Sequence, residues 1–192
     1  MKKNLIILLF VLTNLVSGQN KLVKDIDHDK KNDTVFIDTK TSKIICVLST
    51  LNYKSVSSKS IEILNEHSGI KETKSGFVFY NDWMRAGYKN QFRYNSKTKK
   101  IQLIGMSRYE YGNAIGEGSG ESSFNLLTGD YIGNWYYFDI AKDSLIKIPT
   151  IKSSMEFTPI YLSDFSDETY YSYADKCYDL FQKHKTNYMK TR

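Results

Sequence analysis

The feature that most constrains this chain is a change of period. Between residues 34 and 139 the apolar residues come in short alternating, β-branched or aromatic runs, each bounded by turn residues. After Ser166 they recur at helical spacing instead: Tyr170, Tyr173, Ala174, Cys177 and Phe181 stand at i, i+3, i+4, i+7 and i+11. Period two buries one face of a strand, whereas this second pattern buries one face of a helix. A chain that switches once, near its end, predicts a mainly β fold: an antiparallel meander (sheet, sandwich or partial barrel) with one C-terminal amphipathic helix over 166–189. Ser166 before Asp167-Glu168 suits a helix N-terminus, and Lys183, His184 and Lys185 suit the other end.

The strand signals are local. Segments 34–38 and 43–48 flank the polar Thr39-Lys40-Thr41-Ser42 and read as a hairpin. Segments 91–94 and 100–106 flank Asn95-Ser96-Lys97-Thr98 and read as a second. Residues 122–127 meet the turn Thr128-Gly129-Asp130, and an aromatic strand follows over 131–139. Segments 60–63 and 76–80 read as further strands. Turn signals every 8–15 residues suit a meander better than βαβ units.

The first residues carry a different message. Lys2-Lys3, an apolar run from Leu5 to Leu12, and Val16-Ser17-Gly18, with Val16 and Gly18 in the small-residue slots, have the three-part order of a secretory signal peptide cut after Gly18. The apolar run is shorter than the ~20 residues that span a bilayer. The sequence therefore predicts a signal peptide over 1–18 and a single β-rich domain over 19–192, secreted or periplasmic, soluble, with no membrane span after cleavage. Cleavage removes Lys2 and Lys3 and no acid, so the net charge falls from +6 to +4. The remaining lysines are scattered and arginines are few, which argues against nucleic acid as a partner.

One loop concentrates chemistry. Asp25-Ile26-Asp27-His28-Asp29-Lys30-Lys31-Asn32-Asp33 places carboxylates at positions 1, 3, 5 and 9, and Lys31 at position 7 offers a backbone carbonyl. A hard cation such as Ca²⁺ takes six to eight oxygens, and this spacing converges them. The usual Gly at position 6 is Lys30, and Phe36 stands where an EF-hand needs a bidentate Glu, so this is not an EF-hand. With the hydrophobic strand that follows, segment 24–38 resembles the calcium loop of FG-GAP/VCBS-type secreted modules. The resemblance implies a structural Ca²⁺ turn held by Asp25, Asp27, Asp29, Lys31 and Asp33 between two strands. A single loop does not imply a propeller. The stretch 103–129, with its Gly/Ser/Glu loop, also resembles a recurring pattern of secreted bacterial β-proteins, a likeness that implies no activity.

Catalytic sets are sparse. His28, His67 and His184 lack metalloprotease spacing, and Ser119 lacks the nucleophile-elbow glycines. Glu110, Glu117 and Glu121 are the alternative: a carboxylate pair for a small cell-envelope or glycan hydrolase, which depends on their spatial separation. The abundant Tyr and Trp, among them Trp83, Tyr88, Tyr94, Tyr109, Tyr111, Trp135, Tyr136 and Tyr137, suit either sheet packing or a surface that stacks on ligands. The expected function is a non-catalytic binding or interaction module for a glycan, peptide or envelope protein. Cys46 and Cys177 are either bridged after export or two buried thiols.

Overall fold

In the computed structural model, which describes residues 20–191, the expected period change becomes two antiparallel sheets and one helix. The proposed signal peptide lies outside the described residues. A four-stranded sheet runs β1 (Lys21–Lys24), β2 (Asp33–Asp38), β3 (Lys43–Leu48) and β4 (Lys54–Ser57), each paired with the next. The larger sheet continues the meander through β5 (Ser68–Thr73), β6 (Gly76–Asp82), β7 (Ala86–Asn95), β8 (Lys100–Glu110), β9 (Gly120–Asn125) and β10 (Asp130–Asp139). Two short strands share the outer edge of β10: β11 (Ser144–Lys147) beside its end and β12 (Ile151–Ser154) beside its start. The helix α1 (Asp167–Lys190) closes the chain. Neither sheet closes into a barrel.

Each hairpin follows from its sequence. In β2 and β3 the burial pattern alternates, with Val35, Ile37, Ile44 and Cys46 inward. β7 and β8 alternate likewise until Ile104, an extra residue opposite the Gln91/Phe92 junction. Such a bulge bends the strand and raises its twist. Gly120 opens β9 with φ of 150°, and an added Cβ would sit 2.1 Å from the Asn134 carbonyl oxygen, so only glycine lets β9 and β10 meet here.

Segment 60–63 is not a strand, contrary to its alternating pattern. Ile61 is instead a fully buried plug. Its N–H donates to the Ser42 carbonyl at 2.7 Å, and the Glu62 N–H donates to the Asp167 carboxylate. Its backbone is therefore satisfied by a loop and by a side chain from α1, not by a ladder.

The helix crosses the inner face of the large sheet, and its aromatic stripe meets one strand after another. Tyr170 stacks on Tyr88 of β7 at 4.3 Å, Tyr173 on Phe124 of β9 at 6.0 Å, and Phe181 meets Trp135 of β10 at 6.1 Å. Upstream, Phe165 fills the space over Phe79 and Phe92 with edge contacts at 6.1 and 5.2 Å. The inward residues of the small sheet, Leu22, Val35 and Cys46, join the same apolar core. Lys24 of β1 binds Glu72 of β5 at 2.7 Å and the Thr73 carbonyl at 2.6 Å, which pins the two sheets together. One face of the large sheet is thus covered. Among the described residues, nothing covers the opposite face.

Candidate functional site

The acidic loop between β1 and β2 is organised by its own backbone. His28 and Lys30 adopt left-handed conformations with φ of 66° and 68°, so Lys30 takes the turn that a glycine would take more cheaply. These turns aim amides at carboxylates. Asp25 accepts the Asp29 N–H at 3.1 Å and the Lys30 N–H at 3.0 Å, and Asp29 accepts the Lys31 N–H at 2.8 Å. Asp27 accepts the Asp29 N–H at 3.3 Å and the Thr50 hydroxyl at 2.6 Å. Ile26, fully buried between them, anchors the loop to the core. As a result one carboxylate oxygen from each of Asp25, Asp27 and Asp29 lies within 4.8 Å of the others. Three close carboxylates supply hard oxygens of the kind that hold Ca²⁺.

Asp33 is placed differently from its expected companions. It turns into the protein, 1% exposed, and its carboxylate is spent on protein donors: the N–H groups of Ile26 and Asp27 at 2.8 and 3.2 Å, and the N–H and hydroxyl of Ser49 at 2.8 and 3.0 Å. Lys31 is exposed, and its N–H serves the loop. The structure therefore brings the Asp25, Asp27 and Asp29 carboxylates together and turns the Asp33 carboxylate away.

The three glutamates are placed differently. Glu110 is ion-paired with Arg108, and Glu117 with Lys185 of α1 while also accepting the Phe138 N–H at 2.6 Å. Both line a cavity of about 340 Å³ between α1 and the sheet, each already neutralised by a cation. Glu121 opposes Tyr109 across β8 and β9, whereas Glu110 opposes Gly120, one step along the ladder. Alternation therefore sends Glu110 and Glu121 to opposite faces.

Arg108 was not singled out by sequence reasoning. It is 8% exposed, and its guanidinium lies over the Trp135 ring at 5.4 Å and the Tyr170 ring at 6.0 Å. Burial opposes its charge, but Tyr170 and Glu110 outweigh it and hold the pKa above the ordinary value. Simple alternation from Ile101 and Leu103 would turn Arg108 outward; the bulge at Ile104 shifts the phase, so that Met106 and Arg108 face inward. Cys177 and Cys46 are both buried free thiols, pushed up in pKa by burial. Ser122 and Tyr173 hydroxyls meet at 2.8 Å beside Cys177, so this thiol belongs to a packed polar seam in the core.

The uncovered face carries the remaining candidates. Following the registers, Tyr80, Lys89, Ser107, Ser123 and Ile132 form one row across β6 to β10, and Gly87, Tyr109, Glu121 and Asn134 form the next. Small residues in the middle leave a trough. Its largest section, about 580 Å³, runs over Gln91, Gly105, Ser107, Ser123 and Ile132, and an adjoining section of about 520 Å³ ends among Tyr109, Tyr111 and Tyr136. Of the aromatic residues considered above, Tyr88, Trp135 and Tyr137 are buried beneath α1, while Tyr109 and Tyr136 are half-buried on this face and Tyr111 is exposed. Burial and the nearby Asp82 raise the Tyr109 pKa, so its hydroxyl stays protonated. Comparison with protein families, curated proteins and solved structures finds no match to this chain.

Proposed function

We propose that this protein is an exported, non-catalytic binding module whose working surface is the bare face of the large sheet. In this reading a structural calcium loop braces its N-terminal end. The observation that carries the reading is one-sided cover: α1 and Phe165 fill the inner face, while the face bearing Ser107, Ser123 and Asn134 carries a trough. Ligand sites are concave and carry a few placed polar groups, as this trough does.

Export is supported by the basic, apolar and small-residue order of residues 2–18. Among the described residues no helix is long and apolar enough to cross a membrane. Calcium is supported by the approach of the Asp25, Asp27 and Asp29 oxygens, with the Lys31 carbonyl and water left to complete a shell. A non-catalytic role is supported by the commitment of Glu110 and Glu117 to cations and by the opposite orientation of Glu121.

The test is chemical-shift mapping of protein lacking residues 1–18, with a panel of envelope oligosaccharides and short peptides. Perturbations clustered at Ser107, Ser123 and Asn134, and lost when Ser107 and Ser123 are replaced by Arg, support the reading. Perturbations confined to the α1 side, or none with any probe, overturn it.

A further inference from the structure

Taking the bare face as the working surface, we infer that its ligand is an uncharged or weakly charged oligosaccharide. One sugar ring would be seated in the section formed by Tyr109, Tyr111, Tyr136, Glu121, Asn134 and Lys147. Three other classes of ligand fit this face poorly. An added peptide strand needs free backbone N–H and C=O groups, but here β8, β9 and β10 are paired on both sides and offer only side chains. A nucleic acid needs concentrated positive charge, and Lys147 shares its section with the Glu121 carboxylate. A lipid surface needs a continuous apolar patch, and in the trough Val78, Ile104, Leu127 and Ile132 are interrupted by Lys89, Gln91, Ser107 and Ser123.

What the face does offer is the chemistry of carbohydrate recognition. The Tyr109 and Tyr111 rings stand 5.7 Å apart at 47°, two surfaces set to meet the apolar faces of pyranose rings. Tyr136 faces the same section from β10. Polar groups stand beside these rings with their bonding capacity open. The Glu121 carboxylate and the Lys147 ammonium have no hydrogen-bond or ion-pair partner among the described residues, in contrast to Glu110 and Glu117 nearby. The Asn134 carbonyl is held by the Thr150 hydroxyl at 2.8 Å, which fixes the amide and leaves its N–H groups for a ligand. Acceptor, cation and amide donors around aromatic faces match the vicinal hydroxyls of a sugar. The trough onward over Ser107 and Ser123 gives the chain of sugars a path.

Calorimetric titration of protein lacking residues 1–18 tests this, with cellohexaose, chitohexaose, oligogalacturonate and a hexapeptide as probes. The expected result is saturable binding of a neutral or N-acetylated hexamer. Tyr136→Ala should weaken it about tenfold, the size of one lost aromatic contact. Because Tyr136 is half-buried, the exposed Glu121→Ala provides a second variant, expected to bind several-fold more weakly with an unchanged melting temperature. Binding of the peptide alone, with shifts on Ser107 and Ser123, overturns the glycan assignment and leaves the binding face standing. Exclusive binding of oligogalacturonate, strengthened by low salt and insensitive to Tyr136→Ala, overturns it too. No probe perturbing this face at millimolar concentration removes both readings.

Discussion

Asp33 and Ser49 meet twice. One carboxylate oxygen takes both the backbone N–H and the hydroxyl of Ser49, at 2.8 and 3.0 Å, while the other oxygen takes the amides of Ile26 and Asp27. A single buried side chain therefore ties the start of β2 to the end of β3 and to the acidic loop. Replacing Asp33 by Ala leaves buried donors without an acceptor, each costing about 1–3 kcal/mol. The variant should lose roughly 3 kcal/mol or more in urea unfolding. Ser49→Ala, which deletes only the hydroxyl, should lose about 1 kcal/mol. Equal losses in the two variants would show that Asp33 is not the hub.

The calcium loop has a separate readout. If Asp25, Asp27 and Asp29 hold the ion, calcium binds the folded chain and not the unfolded one, so the melting temperature rises with the logarithm of its concentration. Asp25→Asn should remove that dependence while preserving much of the amide cradle, because Asn still accepts hydrogen bonds. Millimolar calcium that leaves the wild-type melting curve unmoved would retire the ion.

Arg108 and Glu110 should respond asymmetrically. Arg108→Ala removes a buried side chain lying against Trp135 and Tyr170, so roughly 2–4 kcal/mol should go with it. Glu110 is 41% exposed in its side chain, and solvent screens its pair, so Glu110→Gln should cost about 1 kcal/mol or less. Thermal or urea unfolding of the two variants and the double variant decides. A Glu110→Gln loss as large as that of Arg108→Ala would make the ion pair, not the aromatic packing, the source of stability.

High pH tests the buried hydroxyls and thiols. Burial holds Cys46, Cys177, Tyr88, Tyr131 and Tyr173 above their ordinary values, 9.0 for the thiols and 10.0 for the phenols. The native state keeps these protons while the unfolded chain releases them. Stability should therefore be complete below about pH 9 and decline as pH rises beyond it, the sign expected when the unfolded state binds fewer protons. The same burial makes both thiols inert: alkylation at pH 8 should add no mass to native protein and two adducts in denaturant. Adducts before unfolding would show that the thiols are reachable.

Legibility in the sequence followed the range of the interactions. The hairpins β2–β3, β7–β8 and β9–β10 and the helix α1 were readable because alternation, turn residues and helical spacing are properties of neighbouring residues. Strands β1, β4, β11 and β12 were not, being four residues each and defined by what they pair with. The same contrast divides the acidic loop. Asp25, Asp27 and Asp29 converge because their spacing is two residues, whereas Asp33 is turned inward by Ser49, 16 positions away. The bare face was encoded as the polar half of the strand alternation in Ser107, Glu121, Ser123 and Asn134. Which half faced out became visible only once α1 had a side to cover.

The route of the last segment also orders events in time. After β10 the chain returns as β12 along its edge, accepts the Leu103 N–H at the Ile160 carbonyl, accepts the Lys59 N–H at the Phe165 carbonyl, and only then becomes α1. Synthesis from the N-terminus therefore produces every strand of the meander before Phe165 exists to lie over Phe79 and Phe92. Until that segment and α1 follow, those two rings lack this cover. A nascent chain stalled before Tyr161 holds the strands of the meander without the segment that covers them.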